Sequence, residues 1–571
     1  MAQLEQHSGE PVLRAELALA EPVAARADLA LLQREVQQEL AAVQQGLGLP
    51  GRWDVVVTSS TELARAPFAL TINGERCWFS LELQQRVSSL VLDLPLDASA
   101  VVAQVWTEKQ LHQFLRLMCS QIVKERPTVL LTADVVTAYR NALRAEVVAE
   151  ALPAETVLRE MLSAALSLWL SVVDAKTVAR VWQESAHAND SVAAAQELLI
   201  AALRPGEIEV HLSEAYLREM TSQSSSEEQG IFGLLREGLF YELGLQFPDV
   251  RFVLTDELPA HWFRFRLNHL TTLPWRGLAA GECLLNDAAD RLRVLGIESR
   301  PALNPANRNA VSVATQEAKP VAEQAGVISW SPLGYLILAL SGELRAHAAG
   351  FVDANLVTVM LDKLQQVAPQ LTDAARQRIS APLLTQTLRT LVSEDIAIRD
   401  LRAILQAMLE FDYIEANETQ QLIFDARLAV SRVPGEAWFS DPVPRASHVR
   451  EQLKRYLSHK YTRGQSTLIV YLLDWQIENL LQNEHLVRTD EFLAQLAPET
   501  KAQILEAVRA EVSNLPVTAS VPVVLTTTAV RPLLRAIIAP EFPALSVLSY
   551  RELVAYMNIQ PIARIALTQM P

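Results

Sequence analysis

Three glycines near the start of the chain have the spacing of a nucleotide-binding loop. Gly46, Gly48 and Gly51 spell GxGxxG, and in dinucleotide-binding domains such a loop follows a strand and opens a helix whose N–H groups bind the pyrophosphate. Here the order is reversed, because a segment of helical periodicity comes first and the apolar run from Trp53 to Thr58 follows. We therefore interpret the glycines as a helix C-cap and a turn, and predict no nucleotide site.

Other patterns typical of catalysis or metal binding do not occur in the sequence. It has no GxxxxGK[ST], HExxH, GxSxG or EF-hand loop, and its 10 histidines are scattered. Cys77, Cys119 and Cys283 lie far apart, without a CxxC or a Cys/His cluster. They are interpreted as reduced thiols of a cytoplasmic protein. We expect no enzyme activity, no metal and no cofactor.

The segment from Ile398 to Arg402 is a candidate contact site. Asp400 is expected in the first turn of a helix, where a carboxylate offsets the helix dipole. Arg399 and Arg402 flank it and could pair with nearby carboxylates, Glu394 or Asp395, or contact another molecule. A structural role is the favoured interpretation.

A basic helix is predicted from His448 to Tyr461, with four cations at Arg450, Lys454, Arg455 and Lys460. It could hold an acidic partner, but a solvated face is favoured because the whole chain carries a net charge of −16. A field of that sign also repels phosphate backbones, so no nucleic-acid binding is predicted.

The length of 571 residues predicts three or four domains. Gly is scarce, at 19 residues, which favours helices, and half of the chain is hydrophobic, enough to bury several cores. The start of the chain lacks a basic region followed by an apolar core, so no signal peptide is predicted. The two stretches poorest in charge, 324–342 and 512–530, contain proline and several hydroxyl side chains, and neither is expected to span a membrane.

The strongest organisational signal is internal similarity. A strand, a helical segment, a glycine turn and a second strand follow one another near Gly48 and again near Gly244, 196 positions later. The helical segments around Asp174 and Asp400 also match, 226 positions apart. The first copy would lack about 30 residues, most simply around 277–315. A diverged tandem duplication explains this pattern; two unrelated α+β segments with the same order by chance remain the alternative.

From Glu207 onward, five segments resemble the cytoplasmic half of the FHIPEP family, the export-gate proteins of flagellar and virulence-associated type III secretion. The most specific reads LRTLVSEDIAIRDLRAILQA and begins at Leu388. The five segments are Ala325 to Pro332, Leu344 to Ala349, Val359 to Leu364, Leu388 to Ala407, and a closing segment in two parts, Pro522 to Arg535 and Ala544 to Leu553.

The resemblance implies an α+β multidomain fold, with ferredoxin-like α/β units, an inserted helical subdomain and mixed α/β C-terminal subdomains. The expected domains are a diverged copy of the export-gate module over 1–203, a ferredoxin-like subdomain over 204–330, a helical subdomain over 331–432, a mixed α/β ring-type subdomain over 433–515 and a C-terminal α/β subdomain over 516–571. The stretch 433–447, with three prolines, is expected to be a surface insertion.

The resemblance further implies a function in protein docking without catalysis. Family members form nonameric rings that receive secretion chaperone–substrate complexes and contact the stalk of the export ATPase. Their membrane region has no counterpart here, so the chain is expected to be soluble and cytoplasmic, with a peripheral position at the inner-membrane apparatus as an option. It is expected to be a monomer or small oligomer, with a nonameric ring as the alternative.

A docking groove requires apolar anchors with a polar rim. The candidates are Arg345, His347, Phe351, Val352, Leu356 and Met360. The apolar residues recur at helical spacing, so burial in a helix core is the competing interpretation. If Phe351 is exposed, Phe351→Asp should weaken partner binding and change stability by less than about 1 kcal/mol.

Two functions remain open at this point. One is a component of a type III export apparatus that docks chaperones, substrates or gate subunits. The other is a regulatory or assembly factor that caps or mimics the gate ring. The family segment between His347 and Leu361 departs from the usual pattern at Val352 to Leu356, which puts contacts made there in doubt.

Overall fold

The computed structural model describes residues 10–61, 63, 66–97, 106–144, 152–188, 192–203, 205–222, 230–411, 441–482, 488–512 and 522–567. The chain divides into two compact units, one up to Asp353 and one from Ala354 onward. Among these described residues, no helix combines the length and the apolar character needed to cross a membrane.

In its described residues, the first unit begins with a four-stranded sheet and eight helices. The strands are β1 (Val12–Ala20), β2 (Arg52–Ser60), β3 (Phe68–Ile72) and β4 (Glu75–Cys77). The helices are α1 (Glu21–Ala24), α2 (Leu29–Leu47), α3 (Leu81–Val91), α4 (Glu108–Glu125), α5 (Ala133–Leu143), α6 (Glu155–Ser167), α7 (Ala175–Ala188) and α8 (Val192–Ala202), with a 3₁₀ turn at Pro127–Leu130.

Helix α2 shows how the sequence fixes this layer. The Asp28 side chain accepts hydrogen bonds from two first-turn N–H groups, which satisfies donors that have no partner within the helix. The buried residues Leu32, Val36 and Leu40 recur every four positions and face the sheet. Gly48 ends the helix with a φ of 82°, so the prediction that the GxGxxG glycines form a helix C-cap is confirmed.

The second sheet of this unit is built from β5 (Ile208–Leu212), β6 (Val250–Leu254), β7 (Trp262–Leu267), β8 (Leu270–Thr271) and β9 (Trp275–Arg276), with helices α9 (Glu214–Ser222) and α10 (Ile231–Leu243). Its order is β6-β5-β7-β8. The alternation predicted for β7 is confirmed, because Phe263, Phe265 and Leu267 are buried. The parallel strands β5 and β6 are adjacent, whereas a ferredoxin-like unit contains a split βαβ arrangement. The ferredoxin-like expectation is thus corrected.

A third sheet follows within the first unit. It comprises β10 (Glu282–Leu285), β11 (Ser299–Leu303), β12 (Ala310–Thr315) and β13 (Ser329–Trp330), in the order β11-β12-β10-β13. It is accompanied by α11 (Ala289–Val294), α12 (Lys319–Gln324), α13 (Pro332–Ala346) and 3₁₀ turns at Gln316–Ala318 and Ala348–Phe351. Strands β10, β11 and β12 lie within 277–315, the stretch that the duplication hypothesis expects to be missing from the N-terminal segment, whereas β13 lies beyond it.

The first two sheets have the same connectivity. The first has the order β2-β1-β3-β4 and the second β6-β5-β7-β8. In each sheet the first strand pairs in parallel with the second and antiparallel with the third. The turn after the third strand carries an asparagine in the left-handed region, Asn73 with φ 50° and Asn268 with φ 53°.

The second unit contains one parallel sheet and a set of helices. Its strands are β14 (Thr467–Leu473), β15 (Val523–Thr526), β16 (Val547–Ser549) and β17 (Asn558–Ile565). Its helices are α14 (Ala354–Gln365), α15 (Pro369–Arg378), α16 (Ala381–Ser393), α17 (401–411), α18 (Pro442–Gln452), α19 (Lys454–Thr462), α20 (Trp475–Leu480), α21 (Thr489–Gln495), α22 (Pro498–Val512) and α23 (Arg531–Ile538), with a 3₁₀ turn at Tyr550–Glu552.

Two sequence expectations are corrected in this unit. The sheet order is β16-β15-β14-β17, so β14 shares a sheet with the last three strands, and a domain boundary at 515/516 would divide that sheet. Residues 442–447 of the expected surface insertion form the first turns of α18, which Asp441 caps. The remainder of that insertion, 433–440, lies outside the described residues.

A buried cluster of four charges links helices of the second unit to its sheet. Arg450 and Arg531 are 1% and 0% exposed. Both donate to one oxygen of Glu394, at 3.0 and 2.5 Å, and Arg450 also makes two bonds of 2.9 Å to the carboxylate of Glu552. The prediction of a solvated basic face is therefore wrong for Arg450, because two carboxylates from other elements offset its charge.

Candidate protein-docking site

The first unit contains a groove of about 480 Å³ between α10, α13 and the edge of the third sheet. Its volume lies within the range of typical binding clefts. The residues that line it are Glu242, Asn286, Asn304, Ala306, Asn307, Asn309, Trp330, Leu338, Ser341 and Arg345.

The loop between β11 and β12 forms one wall of the groove. Buried Asn304 organises this loop, because its Oδ1 accepts from the Ala306 N–H at 2.9 Å while its own N–H donates to the Asn309 carbonyl at 2.9 Å. Asn307 Oδ1 accepts from the Asn309 N–H at 3.0 Å. Such local bonds are the reason asparagine is favoured in turns. They leave the side chains of Asn307 and Asn309 exposed along the wall.

The same loop is fixed from both sides. The Arg308 guanidinium contacts Glu82 at 3.2 Å and donates to Gln85 Oε1 at 3.1 Å, both on α3. On the opposite side, a Cβ at Gly342 would lie 2.6 Å from the Pro305 carbonyl. Glycine therefore allows α13 to approach the loop closely, and the N-terminal part of the chain holds the groove wall in position.

Trp330 provides the large apolar surface of the groove. It is half-buried in β13, just before Ser331 caps α13 by accepting the Gly334 N–H. A Cβ at Gly334 would come within 3.1 Å of the Trp330 side chain, so the indole packs against the first turn of the helix.

An ion pair closes the far end of the groove. Arg345 binds both oxygens of Glu242 at 2.8 Å, and its Nη1 donates to Ser341 Oγ at 2.7 Å. A bidentate pair of this kind fixes the guanidinium plane. Arg345 is the one residue of the sequence-predicted set that lines this groove.

The chemistry of the groove suits an extended protein segment. The exposed amides of Asn286, Asn307 and Asn309 can each donate and accept hydrogen bonds, as main-chain amides require. Trp330 and Leu338 also line the groove and offer apolar surface to the side chains of such a segment. The charges of Arg345 and Glu242 cancel, so the groove has no strong preference for one sign of charge. Among the described residues, no group of three or more His, Cys, Asp or Glu side chains could hold a metal ion.

Of three other predicted site residues, two are buried in the core and the third, His347, is half-buried. Phe351 is 8% exposed and its ring lies 5.1 Å from that of Phe247, and Val352 is 0% exposed. His347 packs its ring 4.0 Å from that of Trp169, and burial lowers the pKa of its imidazole. The expectation of exposed apolar anchors here is corrected, because Phe351 packs against Phe247 and Val352 is fully buried.

The remaining predicted residues belong to the second unit. Leu356 and Met360 are half-buried on α14. Asp400 is the N-cap of α17, and its Oδ1 accepts from the Ala403 N–H at 3.1 Å, as predicted for a carboxylate at this end of a helix. Arg399 and Arg402 are exposed. A role of these residues in docking stays a prediction.

The groove residues were missed in the sequence because polar loop residues resemble solvated surface. The available signal was three asparagines within six residues, from Asn304 to Asn309, followed by Trp330 near a helix start. Only the packing of this loop against Gly342 brings the two features together.

Comparison with protein families identifies the chain's relatives. The model of the FHIPEP family matches residues 83–439 and 438–558. The match starts well before Glu207, so it includes part of the segment interpreted as a diverged copy. It covers all of the residues that line the groove.

Curated relatives come from secretion systems of several bacteria. The chain is 28% identical over 337 residues to the low calcium response locus protein D of Yersinia pestis, covering 58% of this chain and 44% of the relative. It is 24% identical over 335 residues to the hypersensitivity response secretion protein HrcV of Ralstonia nicotianae, covering 58% and 44%. The chain thus spans less than half the length of these relatives.

Solved structures show the same fold. The CdsV protein of Chlamydia pneumoniae superposes with a TM-score of 0.53 at 24% identity, covering 63% of this chain and 98% of that one. CdsV in a complex with CdsO superposes with a TM-score of 0.52 at the same identity and coverage. Since the family model matches most of the sequence, the chain belongs to the FHIPEP family of type III secretion and flagellar export proteins.

Proposed function

We propose that this chain is a non-catalytic docking component of a type III export apparatus, and that the groove beside Trp330 receives an extended segment of a secretion chaperone or its substrate. The observation that carries the proposal is the wall of exposed asparagine amides opposite an aromatic surface, held rigid by Asn304 and Arg308. A preformed groove of this kind binds a peptide segment with little loss of its own conformational freedom.

The relatives support a function in protein assembly. They are components of type III secretion and flagellar export systems, and CdsV forms a complex with another protein, CdsO. By analogy, this chain would work in the cytoplasm next to a membrane-bound gate. A second candidate function, a regulator that binds gate subunits, is favoured by the tight packing of the N-terminal part onto the second sheet, which includes a 2.9 Å bond from Asn268 to the Leu168 carbonyl.

We also infer that residues 1–203 arose by duplication of the module that follows. Besides the shared sheet order, α6 and α16 begin at Glu155 and Ala381 and end at Ser167 and Ser393, in both cases 226 positions apart. The second residue after each helix is left-handed, Trp169 at φ 61° and Asp395 at φ 59°. A non-glycine residue in this region is uncommon, so its recurrence at the same position supports common ancestry.

If the groove beside Trp330 binds the partner, substitutions in it should lower the affinity. The double substitution Asn286→Lys and Asn309→Lys should weaken the binding of a purified chaperone–substrate pair from the same secretion system at least tenfold, about 1.4 kcal/mol. Two lysines replace amides that accept hydrogen bonds and add unpaired charge to the groove. Biolayer interferometry with the immobilised full chain measures the effect.

Asn479→Lys serves as the control, because Asn479 is an exposed asparagine of the second unit and lies outside the groove. It should bind as the unchanged protein does. Equal affinity of the groove variant and the unchanged chain, with both well folded, would contradict the assignment of the groove.

A further inference from the structure

The first copy of the module is attached to the second copy through the turn between α6 and α7. The Leu168 carbonyl accepts from Asn268 Nδ2 at 2.9 Å, and the Trp169 carbonyl accepts from the His269 N–H at 3.1 Å. The Ser171 N–H donates to His269 Nδ1 at 3.0 Å. A left-handed turn therefore presents two successive carbonyls to the asparagine turn of the neighbouring sheet, and these contacts are buried.

An aromatic contact completes this interface. The Trp169 ring lies 4.0 Å from the His347 ring, at the end of α13. Gly350 lies beneath, where a Cβ would approach the Leu168 carbonyl to 3.3 Å. Four residues of the second copy thus form the surface that receives the turn: Asn268, His269, His347 and Gly350.

The equivalent turn of the second copy is also occupied. Within the second unit, Lys460 Nζ donates to the Asp395 carbonyl and the Ala397 N–H donates to Tyr456 Oη at 3.3 Å. These are the positions that correspond to Trp169 and Ser171. In both copies, the left-handed turn is therefore a docking element that is covered by the next part of the chain.

The first copy contains a surface with the same geometry as the one that receives the turn in the second copy. Asn73 donates from Nδ2 to the Val129 carbonyl at 2.9 Å, as Asn268 does to the Gly350 carbonyl at 3.1 Å. Val129 and Gly350 are each the third residue of the 3₁₀ turn after α4 or α13. Arg126 caps α4 as His347 caps α13. We call this surface, formed by Asn73, Gly74, Arg126 and Val129, the first acceptor surface, in the sense that it could receive such a turn.

This surface is open where its counterpart is covered. Gly74 is exposed, and Arg126 and Val129 are partly exposed. The Arg126 guanidinium donates from one edge to Glu75 Oε1 at 2.6 Å, so a partner ring would approach its face. An amide NH₂ group has two protons; Asn268 uses both, on the Gly350 and Leu168 carbonyls. Within the described part of the chain, Asn73 Nδ2 is bonded to the Val129 carbonyl alone. A groove of about 810 Å³, to which Asn73 and Gly74 belong, leaves room for an incoming segment.

We propose that the first acceptor surface docks a left-handed turn with an aromatic residue, supplied by another protein of the export apparatus. The inference rests on the proposed docking function and names the chemistry of one partner. The turn would give its carbonyls to the Asn73 side chain and its neighbouring main chain. Its aromatic ring would stack on the Arg126 guanidinium, in the position that Trp169 takes on His347, as a cation–π contact.

Two observations indicate which kind of partner segment could bind: the charges that line the groove, and the contacts that already occupy the equivalent turns of this chain. Among the described residues, the two equivalent turns of a second copy, at Trp169 and Asp395, are already bonded to His269 and Lys460, which favours a partner other than this chain. Among the described residues that line the groove, Glu10, Glu16 and Asp134 are acidic and Arg14 is basic. A turn flanked by basic residues is therefore favoured.

The test uses a labelled synthetic peptide of residues 163–176, which contains the Trp169 turn and ends in a lysine, added to the full chain. Fluorescence anisotropy should show saturable binding. Arg126→Glu and Asn73→Asp should each weaken it at least fivefold, and a peptide with Trp169→Ala should lose it to a similar extent. Arg126→Glu keeps the test valid if Asn73→Asp perturbs the hairpin.

Arg52→Glu is the matched control, because it introduces the same charge change at an exposed position of β2 in the same module. It should leave peptide binding unchanged. No saturable binding, or binding that persists in Arg126→Glu, would overturn the proposal. Chaperone binding at the Trp330 groove, measured on the same variants, should remain intact, so failure of this inference is distinguishable from failure of the proposed function.

Discussion

Replacing Glu394 by glutamine is expected to destabilise the second unit by about 3–5 kcal/mol, because it leaves an uncompensated charge in a buried cluster. Glu394 accepts from both Arg450 and Arg531, which are almost fully buried, and Glu552 is the other carboxylate. The cluster contains two positive and two negative groups. Loss of one carboxylate therefore leaves a net positive charge that the protein interior cannot solvate. Hydrogen exchange of the slowest amides of β14 and β15 measures this change.

The adjacent residue supplies the control. Asp395 pairs with Lys460 at 2.6 Å, but its side chain is largely exposed. Asp395→Asn should cost no more than about 1 kcal/mol, the usual value for a surface pair. Equal losses for the two substitutions would show that burial of the cluster does not determine its energy.

The Glu394 carboxyl should also make the free energy of unfolding of the second unit depend on pH. Burial alone would raise its pKa, but the attraction of Arg531 and Arg450 is stronger and holds the pKa below the ordinary value. The unfolded state then binds the proton more readily than the folded state. The stabilisation is present above the unfolded pKa of about 4.3 and is lost as pH falls through the lower folded pKa. In the Glu394→Gln variant, the free energy of unfolding should therefore fall less steeply with decreasing pH in the acidic range, as urea unfolding at a series of pH values would measure.

Phe351→Asp is expected to destabilise the first unit by more than about 4 kcal/mol, since it removes a buried aromatic side chain and places a carboxylate in its site. Phe351 packs against Phe247, which is itself fully buried. This expectation reverses the one drawn from the sequence, where Phe351 was interpreted as an exposed anchor. Urea unfolding followed by near-ultraviolet circular dichroism measures the loss.

Phe240→Asp is the matched control. Phe240 is a phenylalanine of the same unit whose side chain is 40% exposed on α10. The same substitution there should cost much less, because water solvates the new carboxylate. If both variants unfold at the same urea concentration, Phe351 is not the core residue that the structure indicates.

The sequence by itself determined the local structure and the family. The Gly48 cap, the buried face of β7 and the N-cap at Asp400 depend on near neighbours in the chain, so turn chemistry and periodicity were sufficient to predict them. The motif beginning at Leu388 was enough to indicate FHIPEP proteins. The repeated order around Gly48 and Gly244 also came from sequence, because it depends on succession alone.

Tertiary structure decided which side chains are buried and which meet. Helical periodicity marks an apolar face without saying what covers it, so Phe351 and Val352 could be assigned equally to a groove or to a core. Likewise, the charge pattern of α18 could not show that Arg450 points inward, because its partners Glu394 and Glu552 lie 56 and 102 positions away.

The two candidate binding surfaces also required the tertiary structure. The Trp330 groove combines α10, α13 and a loop that α3 anchors, and the first acceptor surface combines a hairpin turn with the end of α4. Each depends on contacts between residues distant in sequence, and the energy of such contacts is set by three-dimensional packing, which local propensity does not encode.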